Sequence, residues 1–337
     1  MRYATSLKLL CNVAEARGLN PQDCLAGTGL TLVDIGNEST RLTLDQEAKA
    51  IENLVRMSEQ DIGLGSDVGN RMHVHAFGIW GFAILTSPTL RTAIDTAIRF
   101  IQLSFVIADM RLTEDDGQAR LVFDMQQLPE TIHGFLLERH AVVAVTFIRE
   151  ILQLKSHDDF VVESTRQSPD YIEALSAATA LRARGNAGSA ALLFPQAWLD
   201  KPLPKSDPQT LQYCLRQCES LLERIKEDSR PWSAKVRDVM MDHIGEEIKI
   251  QTVAQLLNLT ERTLRRRLTD EGSRFRDIYS DVRLSIAYEL LETTGMATET
   301  VSWRVGYAES ASFIRAFTKK FSKKPKEVRN TRLSRAS

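Results

Sequence analysis

Thr252-Val253-Ala254-Gln255-Leu256-Leu257-Asn258-Leu259-Thr260-Glu261-Arg262-Thr263-Leu264-Arg265-Arg266-Arg267-Leu268 decides how this chain is read. The stretch opens as a short helix. Thr252 is placed to cap it, and Val253, Ala254 and Leu257 fall on its inner side. Ala254 is small enough for a second helix to cross closely. Asn258 suits the turn, because asparagine tolerates the left-handed backbone at a helix end. Thr260 has the position of a second N-cap. After it, Leu264 and Leu268 lie one turn apart and face inward. Arg262, Arg265, Arg266 and Thr269 recur at i, i+3, i+4 and i+7 on the opposite face. Three guanidiniums on the exposed side of the second helix of a tight pair suit a major-groove reader. Arginine bonds guanine O6 and N7 bidentately and also pairs with phosphate. The alternative is a solvated arginine-rich helix, and the short helix, turn and cap before it weigh against that.

Downstream the pattern repeats. A long helix is expected from about Phe275 to Glu292, roughly 27 Å long at about 1.5 Å per residue. Phe275, Ile278, Val282, Ile286 and Leu290 form one stripe; Leu284, Ala287 and Leu291 form another. A helix apolar on two sides is sandwiched between two packing units. Thr298–Tyr307 then reads as a short helix and a glycine turn at Gly306. A helix starting at Glu309 or Ser310 should run through Phe321, with Phe313, Phe317 and Phe321 inward. Ala311, Ile314, Arg315 and Thr318 face out, trailed by Lys319, Lys320, Lys323 and Lys324. Pro325 stops this helix, and Lys326–Arg329 are expected to form one last turn. The two candidate reading helices are centred about 49 residues apart. The helix between them can hold both in successive major-groove segments, roughly 34 Å apart on one face of the duplex.

Residues 233–329 resemble the DNA-binding domain of the AraC/XylS family of bacterial transcription regulators. The resemblance is carried by Val253-Ala254 with Leu259-Thr260, by Leu264-Arg265-Arg266-Arg267-Leu268, by Phe275, Arg283 and Ala287, and by Val305-Gly306-Tyr307 with Ser312-Phe313-Ile314-Arg315-Ala316-Phe317. It implies double-stranded DNA as partner, with the second helix of each unit in the major groove. The family's reading positions fall on Arg262, Arg265 and Arg266, then on Ser310, Ala311, Ile314 and Arg315. Thr260 and Lys319 join them as candidate contacts. Thr318 and Ser322 interrupt the family pattern, and Trp303 is bulky where the family varies. Reading by the second helix is therefore expected to be partly apolar, with Ile314 and Ala311 suited to a thymine methyl.

The front of the chain reads differently. Leu7, Leu10, Cys11 and Ala14 give a helix stopped at Gly18, Asn20-Pro21 starts another, and Thr43 with Gln46 forms a capping box for a helix to about Ser58. Phe77–Leu85 and a helix after Ser87-Pro88-Thr89 look like a buried helical hairpin. Val106–Leu112 and Ala119–Met125 alternate around Asp115-Asp116-Gly117, as a β-hairpin does. A long helix should cover roughly 130–154. Phe160–Val162 and Ala191–Phe194 read as short strands, with a helix near 169–182 between them. A polar helix over Pro208–Glu227 leads to Lys226–Pro231, read as the linker. The expected fold is an α+β N-terminal domain with a small sheet and many helices, followed by an all-α domain of two helix-turn-helix units joined by a long helix.

Residues 5–225 resemble the N-terminal region of the AraC subgroup labelled "arabinose-binding-like". The resemblance rests on Gly78-Ile79-Trp80-Gly81-Phe82-Ala83, Ser87-Pro88-Thr89-Leu90 and Phe194-Pro195 followed by Leu203-Pro204. In the subgroup this region is thought to sense a small molecule, and the label does not establish a sugar. The domains are accordingly set at 1–228, for effector sensing and dimerisation, and 229–337, for the double helix-turn-helix. Candidate ligand contacts are His73 and His75 before the apolar hairpin, Trp80 and Phe82 within it, and His133 and His140, seven apart on the long helix and able to face one cavity. Metal binding by the histidine pair lacks a spaced partner, and core or surface roles compete at all six positions.

Composition bounds the rest. The chain has 337 residues, 43% of them apolar, enough for about two globular domains. Its net charge of −1 hides an acidic front, −8 over residues 1–229, and a basic back, +7 from Arg230 onward. That asymmetry suits a nucleic-acid-binding module on a different kind of domain. There is no basic segment followed by an apolar run at the start, and no apolar stretch near about 18 residues, so a cytoplasmic protein without a membrane span is expected. Cys214 and Cys218 share a helix face and read as buried thiols, as do Cys11 and Cys24. No phosphate loop, nucleotide-binding glycine fingerprint, nucleophile elbow or zinc-protease motif occurs, so no enzyme and no cofactor are expected. The expected partners are DNA, a small-molecule effector, RNA polymerase in an activator's role, and a second copy of the chain. Two readings compete: a DNA-repair alkyl-transfer enzyme with an AraC-like unit, against which the scattered cysteines count, and a regulator whose front domain makes protein contacts only.

Overall fold

A computed structural model describes residues 2–37, 40–58, 62–243 and 248–333. The chain divides into two compact units, Met1–Asp228 and Ser229–Ser337. In the first, a short strand β1 (Arg2–Tyr3) leads into helix α1 (Thr5–Ala16), which buries Leu7, Leu10, Cys11 and Ala14 along one side. Helices α2 (Pro21–Cys24) and α3 (Leu32–Gly36) follow, then strand β2 (Arg41–Leu42), antiparallel to β1. The capping box expected at Thr43 and Gln46 is formed, and it starts α4 (Leu44–Met57). Helix α5 (Leu64–Gly69), a hairpin of α6 (Gly78–Leu85) and α7 (Leu90–Arg99), and strands β3 (Asp109–Asp115) and β4 (Gln118–Asp124) come next. Asp116 and Gly117 both take positive φ between β3 and β4, the two-residue turn whose twist matches the strands.

The 20-residue helix α8 (His133–Leu152) is the spine of this unit. After it run β5 (Val161–Glu163), α9 (Pro169–Thr179), β6 (Arg182–Arg184), β7 (Ala191–Pro195) and α10 (Pro208–Ser229). The sheet order is β3-β4-β7-β5-β6, antiparallel throughout except for β5 with β6. Leu121, Phe123, Leu192, Phe194 and Val162 join the main core on one face, while Val122, Val161, Ala191 and Leu193 form a small cluster on the other.

Several expectations shift. The first hairpin strand begins at Asp109, because Val106–Ala108 precede the ladder. Strand β6 carries Arg-Ala-Arg at the sheet edge, where no apolar alternation marks it. The β1–β2 pair was also unmarked, being two residues long. Most of the expected linker is helical, since α10 continues to Ser229.

Two details show how tightly α8 is held. A Cβ on Gly65 would stand 2.1 Å from the Phe135 carbonyl oxygen, and one on Gly69 would stand 3.0 Å from that of Arg139. Glycines four apart on α5 therefore let it lie directly on α8. Between the helices the buried Glu138 accepts the Gly63 amide at 2.9 Å and the Ser66 amide at 3.2 Å, closing the first turn of α5. Burial outweighs those amides and pushes its pKa up to about 7. The fully buried Glu47 lies 3.5 Å from Arg139.

Gly65→Ala should lower the stability of the first unit by about 2–3 kcal/mol, read as a fall in urea midpoint, because backbone must move to admit the methyl. A midpoint within error of the parent would show that α5 can slide. Glu138 gives a pH signature. Folded chains hold its proton up to about pH 7, whereas unfolded chains lose it at the ordinary carboxylate pKa. Stability should therefore fall as pH rises across that window, and Glu138→Gln should flatten the profile. Equal slopes in parent and variant would assign the proton elsewhere.

Candidate nucleic-acid interface

The second unit contains α11 (Trp232–Asp242), α12 (Ile250–Leu256), α13 (Glu261–Asp270), α14 (Phe275–Thr294), α15 (Thr298–Arg304), α16 (Ser310–Phe321) and α17 (Pro325–Leu333). The expected helix over 233–244 is α11, and Ile244 lies outside the described residues. Helix α12 begins at Ile250 with Lys249 as N-cap, so Thr252 sits inside the helix and caps nothing. Ile248 and Ile250 are both buried, which draws the start forward. Past Pro325 a nine-residue helix forms where one turn was expected.

The two turns are the same structure built twice. After α12 the Asn258 amide donates to Gln255 O at 2.9 Å and the Leu259 amide to Ala254 O at 2.7 Å. After α15 the Gly306 amide donates to Trp303 O at 2.9 Å and the Tyr307 amide to Ser302 O at 3.0 Å. Asn258 and Gly306 hold the left-handed position, with φ of 56° and 79°. Each pair of bonds closes the last carbonyls of the first helix and turns the chain into the second.

On α13 the inner and outer faces separate as the spacing predicts. Leu264 and Leu268 are buried with Val253 and Ala254; Arg262, Arg265, Arg266 and Thr269 are exposed. The Thr260 hydroxyl accepts the Thr263 amide at 3.2 Å, so it is occupied as a cap. Arg265 is tied to Glu261 on its own helix, with Nη2 at 2.6 Å from Oε1. Arg262 and Arg266 have no carboxylate partner among the described residues.

Helix α16 buries Phe313 and Phe317, with Phe321 half-buried and packed on Phe317. Ala311, Ile314, Arg315 and Lys319 are exposed, Ser310 is half-buried, and Arg315 Nη2 reaches Ser312 Oγ at 3.3 Å. Two outward expectations are corrected. Thr318 is half-buried with its hydroxyl oxygen covered. Lys320 turns back onto α14, where it pairs with Asp281 and donates to Asp281 O and Ser285 Oγ, each at 2.8 Å.

Helix α14 joins the two helix-turn-helix motifs. It buries Ile278, Val282, Leu284, Ile286, Ala287 and Leu291, and its 20 residues span about 30 Å. Asp281 accepts from Arg237 of α11 at 2.6 Å and also pairs with Lys320 of α16. Partial burial opposes its charge, but the two cations hold the carboxyl below its usual range. The Arg283 guanidinium stacks on Tyr307 at 4.0 Å and Tyr279 at 5.0 Å, and its Nε donates to Val305 O. A Cβ on Gly306 would stand 3.3 Å from that guanidinium, so the turn needs glycine for space as well as for its φ. At the other end, Glu271 accepts the Trp232 and Ser233 amides at 2.5 and 2.9 Å, and Arg267 lies 4.1 Å over the Trp232 ring.

The front-unit candidates scatter. His73 is exposed and bonds Glu150 at 2.7 Å, with His75 stacked on it at 5.6 Å; neither lines a described cavity. Trp80 is buried and lines an apolar cavity of about 70 Å³ together with His140. Phe82 is 50% exposed, two residues and about 200° round a short helix from Trp80. His133 and His140 do not share a cavity. Two turns of α8 separate them by about 10 Å along the axis, and His133 lines a different, polar cavity of about 170 Å³. That cavity also contains Arg166 and Tyr171, which no spacing pattern singles out. All four cysteines are buried, and burial raises the Cys218 thiol to about 11. Among the described residues no three metal-ligating side chains gather, and no helix is long and apolar enough to cross a membrane.

Asp281→Asn should cost the second unit about 0.5–1 kcal/mol at neutral pH, the range of partly exposed ion pairs. The difference should be full above the ordinary carboxylate range and vanish only once the pH has fallen through the lowered pKa of the folded chain, where the parent residue is also neutral. Thermal melts of both chains across pH check this; a gap that persists in acid would locate the loss in packing.

The two family-model matches agree with this architecture. Residues 18–203 match the family model described as the arabinose-binding domain of AraC transcription regulator, N-terminal, and residues 253–331 match a helix-turn-helix domain model. An uncharacterised HTH-type transcriptional regulator from Mycobacterium tuberculosis is 32% identical over 329 residues, covering 96% of this chain and 94% of its own. The ornithine utilization regulator of Pseudomonas aeruginosa is 27% identical over 278 residues, 79% of this chain and 78% of its own. The crystal structure of the transcriptional regulator CdpR from Pseudomonas aeruginosa aligns over 98% of this chain and 99% of its own, at 19% identity and a TM-score of 0.49.

Proposed function

This chain belongs to the AraC family of DNA-binding transcription regulators, and we propose that it reads its DNA site unequally with its two helix-turn-helix units, under control of a small molecule held by the front unit. One observation carries the reading of the site. Arg262 and Arg266 stand exposed on the second helix of the first helix-turn-helix, one turn apart, with no carboxylate among the described residues to occupy them. Such guanidiniums are ready for guanine or phosphate. Arg265 shares the face but must exchange Glu261 for DNA, so its contribution is smaller. Thr260 serves DNA through the helix terminus that it caps.

In the second helix-turn-helix the offered face is Ser310, Ala311, Ile314 and Arg315, with Lys319 toward the end of the helix. Ile314 and Ala311 suit thymine methyls, and Arg315 and Lys319 suit phosphate. With about 30 Å of α14 between the units, both second helices can enter successive major-groove segments of one duplex face. For the front unit, the family model over 18–203 and the polar cavity beside His133 support a sensor. The Pseudomonas relative's role in ornithine utilization supports a metabolite as the signal. A coupling of about 1–3 kcal/mol between that site and DNA affinity is the expected scale.

Arg266→Ala should weaken binding to the preferred site by about 1–3 kcal/mol and relax base preference at one position. The site is first recovered by genome-wide footprinting and then titrated with parent and variant at several salt concentrations. Unchanged preference with only a shallower salt slope would assign Arg266 to a phosphate and move base reading to Arg262.

A further inference from the structure

We propose that the polar cavity at one end of the five-stranded sheet is a binding site for a small organic carboxylate. The proposal rests on the sensor reading above for its regulatory meaning, and on geometry for the site itself. The cavity of about 170 Å³ is walled by the end of β4, the start of α8, the loop after β5 and the first turn of α9. A cavity of about 150 Å³ is known to hold benzene, so this one has room for roughly six or seven non-hydrogen atoms, more where its mouth opens to solvent.

Two donors meet there with bonding capacity to spare. Tyr171 is only 9% exposed, and its hydroxyl lies by Ser164 without a well-formed hydrogen bond. A buried hydroxyl left so is costly unless something else completes it. The Arg166 guanidinium sits 4.5 Å over the Tyr171 ring and has no carboxylate partner among the described residues. Both converge on one spot. A methyl on Gly134 would stand 3.5 Å from the Tyr171 hydroxyl and 3.7 and 3.8 Å from the two terminal nitrogens of Arg166.

Gly134 is the second residue of α8, and no side chain caps that helix start. His133 is anchored beside it, its Nε2 donating to Leu128 O at 3.0 Å. Of the nearby acids, Asp124 accepts the Gln126 amide at 3.1 Å and lies 3.7 Å from Arg111. Glu138 accepts the α5 amides through Oε2 alone; its Oε1 has no partner, and burial favours its neutral form, which does not repel an anion. One unpartnered guanidinium and one hydroxyl match the charge and the two oxygens of a single carboxylate. A phosphate dianion would leave a charge unbalanced.

Calorimetric titration of the full chain with pyruvate, succinate, 2-oxoglutarate and L-glutamate tests the site, with inorganic phosphate and the methyl ester of the best acid alongside. At least one acid should bind once per chain, and its ester at least tenfold more weakly. Arg166→Gln should weaken that acid at least tenfold. Gly134→Ala should abolish binding because its methyl occupies the converging spot, while the melting temperature holds or rises, since alanine favours a helix over glycine. No binding by any acid, binding indifferent to both variants, or phosphate bound more tightly than every acid would each overturn the proposal. The sensor reading fails separately: an acid that binds here and is lost in Gly134→Ala, yet leaves affinity for the footprinted DNA unchanged, keeps the site and removes its regulatory use.

Discussion

Both helix-turn-helix units bury their inner faces against one helix, and everything else in the second unit follows from that shared wall. Helix α14 offers Ile278, Val282 and Ile286 on one side and Leu284, Ala287 and Leu291 on another. Neither unit closes a core without it, because α12 and α15 are seven residues each and bring only two or three buried side chains. Polar ties then fix the angle at which each unit leans. Asp281 holds α11 through Arg237 and α16 through Lys320, so one carboxylate serves both sides. Arg283 does the same for the second turn by filling the space beside Gly306. The spacing of the two second helices is thus set by covalent length and by ties, not by DNA.

How much of this was legible depends on how local the cause is. Leu264 and Leu268 declare the inner face of α13 because helical period alone sorts them from the arginines. Asn258 and Gly306 declare their turns because few residues accept the left-handed backbone. Thr260 reads correctly as a cap, and Thr252 does not, although both precede an apolar run. The difference is tertiary: buried Ile248 and Ile250 pull α12 into existence before Thr252 is reached. Lys320 shows the same limit from the other side. Its place in a basic run suggests solvent, and only the fold brings Asp281 to it.

The front unit was legible in outline and opaque at its cavities. The hairpin turn, the capping box and the long helix are local features and stand in the sequence. The polar cavity draws on two stretches, the end of β4 with the start of α8 and the segment after β5 with α9, that lie nearly thirty residues apart. Arg166 and Tyr171 have no common period, and their meeting beside Gly134 is a product of chain crossing alone. The histidine pair on α8 failed for a simpler reason. Seven residues return a helix to nearly the same azimuth but not to the same height, so His133 and His140 open to separate hollows.

The two outward faces are unequal: one presents Arg262, Arg265 and Arg266, the other Ala311, Ile314 and Arg315. They are also joined in fixed order by a helix that cannot be reversed. A symmetric dimer reads a palindrome identically from either strand. A single chain built this way has a head and a tail. On the proposed reading, with both faces on DNA, it sits on its site in one heading only, so the information taken from DNA would include direction along the chromosome as well as location.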